Sequence, residues 1–161
     1  MREDSNVILR VKLDLPEDLA YLRMTREVSR TILDSLQAVS VDIDDADTLI
    51  SELYANVMRH GRSDGGRFVV TLEFGAGSMA VSVVDCGPGF SPDSLPPPGA
   101  RPDMDGGERI GGYGLAIVKA ISDDIEFSHV DHPGSTVRAV KKFRYRSESA
   151  AEAASCLDVV S

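Results

Sequence analysis

Apolar and polar positions change period several times along the chain, and each change marks an element. In "NVILRVKLDL" (6–15) Val7, Leu9, Val11, Leu13 and Leu15 alternate with polar neighbours, the period of a half-buried strand. Pro16 then opens a predicted helix to about Leu36, with Leu19, Leu22, Val28, Ile32, Leu33 and Leu36 spaced by threes, fours or their multiples. A second helix is expected from the acidic cluster "DIDDAD", whose aspartates suit the positive end of a helix dipole and cap its free amides, and it should stop at Gly61. Two strands, "GRFVVTLEF" and "SMAVSVVD", joined through "GAG", predict a hairpin. Residues 91–111 are Pro, Gly, Asp and Arg with little to bury and read as a long loop. A short helix in "YGLAIVKAIS" and two strands, "DIEFSHV" and "STVRAVKKF", turning at "DHPG", complete one domain over 1–143. The tail, 144–161, reads as frayed helix or disordered chain and is assigned no role.

Composition narrows the classes this layout can serve. A chain of 161 residues with 42% hydrophobic content buries one good core. A net charge of −9 and a pI near 4.7 leave no basic stripe for a phosphate backbone, so a basic or neutral protein partner is expected in place of nucleic acid. Cys86 and Cys156 are too few for a disulfide framework, and "MREDSNVILR" lacks the apolar core of a signal peptide. No run reaches membrane-span length. A reduced, cytoplasmic protein is the expectation.

Three segments carry candidate chemistry. In "TLISELYANVMRHG", Ile50, Leu53 and Val57 build an apolar face, while Glu52, Asn56 and His60 recur every fourth residue on another face and can meet one ligand. Asparagine is a poor residue in mid-helix, and its amide there often serves a hard cation or a hydrogen bond. His60 is read as part of the helix C-terminus and given no catalytic weight. In "VVDCGPGF", Asp85 closes a strand and can accept a hydrogen bond from an exocyclic amine, Gly87 and Gly89 let the backbone lie against a flat ring, and Phe90 pins the exit. In "GGERIGGYGLAIVKAIS", Gly106, Gly107, Gly111, Gly112 and Gly114 lead into a helix whose free amides can hold an anion. Taken singly, the first segment is as well a solvated helix face, the second an ordinary glycine turn, and the third a weak cluster without a Walker lysine. Their order is what separates the readings.

"ELYANVMRHG", "DCGPGF" and "GGYGLAIV", in that order, resemble the three nucleotide boxes of the GHKL ATPase and kinase superfamily, and the closing "DDIEFSHVDHPGSTVRAVKKF" is most similar to bacterial anti-sigma-factor serine kinases of the partner-switching type. The resemblance spans about residues 6–143. It implies a two-layer α/β sandwich, the Bergerat ATP-binding fold, with helices on one face of a mixed, mainly antiparallel sheet and the loop 91–111 as an ATP lid. It also implies ATP and Mg²⁺ as cofactors, with Asn56 as metal ligand, Glu52 as general base and Asp85 as partner of the adenine amine. Gly87 and Gly89 would line the adenine pocket, Gly112 and Gly114 would lie beneath the phosphates, and Thr136 would support Asp85 by a hydrogen bond. Cys86 in the adenine box and a long, proline-rich lid depart from the pattern, and neither Arg101 nor Arg109 aligns with a phosphate contact.

Two functions follow from the resemblance. The first is a protein-serine kinase that sequesters a sigma factor and phosphorylates a STAS-type antagonist, an arrangement compatible with a homodimer. The second is a nucleotide-dependent binding module without phosphotransfer. Glu52 favours the first, since a pure binder needs no base beside the metal. A histidine kinase is disfavoured because no phosphoacceptor helices are seen upstream, and a gyrase-like ATPase because no transducer domain is seen.

Overall fold

The computed structural model describes residues 7–60, 66–85, 114–128, 135–149 and 152. Five strands form one sheet: β1 (Val7–Pro16), β2 (Arg67–Gly75), β3 (Ser78–Asp85), β4 (Asp124–Ser128) and β5 (Ser135–Lys142), in the order β1-β2-β3-β5-β4. Every pairing among them is antiparallel, so the described sheet is antiparallel throughout, in keeping with the mainly antiparallel sheet expected. The β2–β3 connection is as tight as "GAG" predicts. Gly77 sits at φ +77°, a conformation that costs a residue with a Cβ far more.

Three helices, α1 (Ala20–Ser35), α2 (Ser40–His60) and α3 (Gly114–Ile121), accompany the sheet. Phe68, Val70, Leu72 and Phe74 of β2 alternate inward, and Leu49, Ile50, Leu53 and Val57 of α2 bury against that layer with Met79, Val81, Leu115 and Val118. Central α2 is therefore held on its apolar stripe, and the opposite stripe is left to chemistry. Tyr54 fixes its rotation from a second side. Its ring meets Phe68 edge-on at 4.8 Å between centroids, and its hydroxyl donates to the Asp18 carbonyl oxygen at 2.7 Å. Burial of that phenol raises its pKa to about 12.

One sequence expectation is corrected here and another extended. Pro16 does not open α1 but ends β1, on an edge strand where its missing N–H costs no ladder bond. The helix starts four residues later, where Asp18 Oδ1 accepts the Ala20 N–H at 2.8 Å. The acidic cluster also does more than face a dipole. Asp42 is buried and accepts from Arg144 three times, from the backbone N at 2.8 Å, Nε at 3.1 Å and Nη2 at 3.0 Å. Asp44 and Asp47 bind arginines of α1, and Asp45 pairs with Lys141 at 2.8 Å. The charges of α2 are thus its ties to α1 and to the end of β5. Arg146 adds a bond to Asp34 and another to the Ala38 carbonyl oxygen, so both arginines at the start of the 144–161 stretch clasp the α1–α2 connection.

Burial of Asp42 by itself opposes its charge, but the bonds from Arg144 outweigh that and hold its pKa below the usual carboxylate value. A lowered folded pKa means the pair stabilises above the unfolded value of about 3.9 and is lost as pH falls below it. Thermal melts through the acid range should therefore show wild type losing more of its Tm than Asp42→Asn. Parallel losses in the two proteins would exclude this pair as an acid-sensitive tie.

Candidate functional site

Glu52 and Asn56 lie one turn apart on α2, each half-buried, on the stripe away from the buried Leu53 and Val57. Among the described residues neither side chain has a hydrogen-bond or ion-pair partner, so both are available to a ligand. Facing them is the first turn of α3. A Cβ added at Gly114 would stand 2.5 Å from Glu52 Oε2 and 3.8 Å from Glu52 Cβ. Gly114 is thus the residue whose missing side chain lets α2 and α3 approach and seats the Glu52 carboxylate at the head of α3. That head offers amide N–H groups with no partner inside the helix, the kind of surface that holds phosphate oxygens.

The strand end that was to hold a base is formed as expected in its backbone. Asp85 is the last residue of β3 and pairs in register with Phe68 and with Ser135. Thr136 stands one position along, across from Val84 and Ser128, and its buried Oγ1 has no hydrogen-bond partner among the described residues. The expected bond from Thr136 to Asp85 would end on a side chain outside the described ones. Successive side chains of a strand alternate between faces, so the register puts Ser135, not Thr136, across from Asp85. Gly87, Gly89 and Gly112 lie outside the described residues, as does the loop 91–111 with Arg101 and Arg109.

The donor set tests what could bind here. No group of three or more His, Cys, Asp or Glu side chains among the described residues is arranged to hold a metal. One amide oxygen at Asn56, one turn from Glu52, fits the sparse protein coordination of Mg²⁺, whose other ligands are commonly phosphate and water. Thr136 Oγ1, next to the Asp85 register position, and the head of α3 likewise leave polar groups without partners among the described residues.

Sequence reading missed a groove that begins at Glu52 and runs between α1 and α2. It holds about 390 Å³ and is lined by Arg26, Arg30, Asp44, Asp47, Thr48, Ser51 and Glu52. Arg30 reaches Asp47 Oδ2 at 2.5 Å and Asp44 Oδ1 at 2.8 Å, bonds that raise its pKa. The signal was present: arginines four apart on one helix and aspartates three apart on the next are complementary stripes.

An antiparallel sheet with helices on one face, a carboxylate and an amide one turn apart, and a glycine-headed helix against them define an ATPase domain of the histidine kinase type. The chain belongs to the histidine kinase-like ATPase domain family, whose model matches residues 15–141. ATP is thereby its implied cofactor. Among solved structures, the chain resembles the RsbU and RsbW domains of a Mycobacterium tuberculosis protein, at 20% identity and a TM-score of 0.61 over 86% of this chain. It spans only 35% of that protein. The SiaB–SiaC complex from Pseudomonas aeruginosa matches at 15% identity and a TM-score of 0.55, over 84% of this chain and 90% of that one. No curated protein sequence matches the chain. Among the described residues no helix is long and apolar enough to cross a membrane.

Proposed function

We propose that the chain is an ATP-dependent protein-serine kinase of the partner-switching kind, a cytoplasmic anti-sigma factor that phosphorylates a serine of a STAS-type antagonist. The observation that carries this reading is Glu52: a carboxylate without a described partner, one turn from Asn56 and seated against the head of α3. A protein that only bound nucleotide would gain nothing from a base at that point. The likeness to a structure containing an RsbW domain and to SiaB in its complex with SiaC supports the same direction.

ATP bound with Mg²⁺ supplies a transferable γ-phosphoryl group. Asn56 would hold the metal through its amide oxygen, and Gly112, Gly114 and the first amides of α3 would face the phosphates. Asp85 would accept the adenine amine, with Gly87 and Gly89 leaving room for the ring. Glu52 orients the incoming serine hydroxyl and takes its proton as the oxygen attacks. Transfer of labelled γ-phosphate to a co-purified partner, followed by mass spectrometry for phosphoserine, tests the reading. Absence of transfer while ATP still changes partner affinity would leave a nucleotide-dependent binding module.

Asp85 gives a separate check on the nucleotide end. Replacing a charged acceptor by an amide should weaken ATP binding by about 1–3 kcal/mol in Asp85→Asn, a loss calorimetry resolves easily. Unchanged affinity in a folded variant would remove Asp85 from the adenine site.

A further inference from the structure

The groove beside Glu52 uses its charges unevenly. Asp47 is only 5% exposed, and its Oδ2 takes Arg30 Nη2 at 2.5 Å, Arg30 Nε at 3.2 Å and Arg26 Nη2 at 3.3 Å. Its Oδ1 is buried and has no hydrogen-bond partner among the described residues. Asp44, with a side chain 66% exposed, has one bond from Arg30. Arg26 is the loosest member. Its guanidinium makes the 3.3 Å contact as its one side-chain bond to a described residue, through an oxygen that Arg30 already occupies. Two guanidiniums thus face three carboxylates, which leaves the lining acidic by one charge in a chain whose net charge is −9.

Resting on the kinase reading above, we propose that this groove receives a basic side chain, Lys or Arg, from the same protein segment that brings the acceptor hydroxyl to Glu52. Asp47 and Asp44 are its acceptors, and Arg26 is the cation it displaces toward solvent. The spacing sets where that residue lies. Asp47 and Asp44 precede Glu52 by five and eight positions, which is about 7.5 and 12 Å of rise along α2. An extended segment advances about 3.3 Å per residue, so the basic residue falls about two to four positions from the acceptor serine. An incoming ammonium or guanidinium takes over the 3.3 Å contact on Asp47 Oδ2 that Arg26 gives up and adds a donor to the mostly exposed Asp44. An acidic side chain would meet Asp44, Asp47 and Glu52 with only Arg26 and Arg30 to offset them.

Labelled synthetic peptides with a central serine, and Lys, Ala or Glu placed about two to four positions to either side, test this by fluorescence anisotropy on the full chain with a non-hydrolysable ATP analogue and Mg²⁺. The Lys peptide should bind about five- to tenfold more tightly than its Glu counterpart at low salt, with the gap closing as salt rises. Asp47→Asn and Asp44→Ala should shrink the gap, and Arg26→Ala should widen it. Asp44→Ala is the safeguard against misfolding, since that side chain is mostly exposed, and a thermal melt checks each variant. A preference for Glu, no preference, no binding of any peptide, or a weaker Lys peptide in Arg26→Ala overturns the proposal, the last pointing to an acidic segment clamped by Arg26. Phosphate transfer to a partner without any Lys preference would remove the groove and keep the kinase. A Lys preference that follows the aspartates in a protein that transfers no phosphate keeps the groove and confines the failure to the transfer step.

Discussion

Glu52→Gln is expected to bind ATP and partner as wild type does while transferring phosphate about a hundredfold more slowly or worse, the usual worth of a general base. Glutamine has the size and hydrogen-bonding reach of glutamate, so it fills the same space against Gly114, where Glu52 Oε2 already stands 2.5 Å from the position of an added Cβ. The helix that carries it is held elsewhere, by Leu53 and Val57 in the core and by the Tyr54 bond to Asp18. Loss of rate therefore reports the proton acceptor and not the fold. A hundredfold loss corresponds to about 2.7 kcal/mol of barrier. Single-turnover transfer beside a binding titration separates the two quantities. Transfer within a few fold of wild type would show that Glu52 does not act as the base.

Asn56→Ala is expected to fail differently. Asn56 sits one turn beyond Glu52 on the same half-buried stripe, and with no acidic cluster beside it among the described residues it is the protein's candidate hold on Mg²⁺. Removing one charge-assisted contact should cost about tenfold or more in ATP affinity with Mg²⁺ present, and little without it. Transfer should fall with binding, in contrast to Glu52→Gln. Calorimetry with Mg²⁺ and with a chelator reads the effect without any turnover. An equal loss in both conditions would assign Asn56 to the helix surface or to the nucleotide directly.

The difference between these two variants was already legible in "ELYAN", because spacing by four places both side chains on one stripe of any α-helix that forms there. Period and turn chemistry likewise set the eight elements and most of their limits, from the alternation in β2 and β3 to Gly77 between them. Where local signals misled, a tertiary partner had prevailed. Pro16 has the credentials of a helix start, yet at an edge strand it ends β1 without cost, and Asp18 supplies the cap.

By itself, the sequence determined which residues share a stripe or a strand face, because helix and strand periods depend on the backbone alone. Tertiary structure decided what those faces meet. Gly114 is one of five glycines at or before the start of α3, and only the approach of α2, seen among the described residues, sets it against Glu52. In the sequence Arg26 and Arg30 lie on one helix and Asp44 and Asp47 on the next, and only the packing of α1 on α2 makes them a groove beside the candidate base. Contacts between elements far apart in the chain depend on how whole layers pack, and no local period encodes that distance.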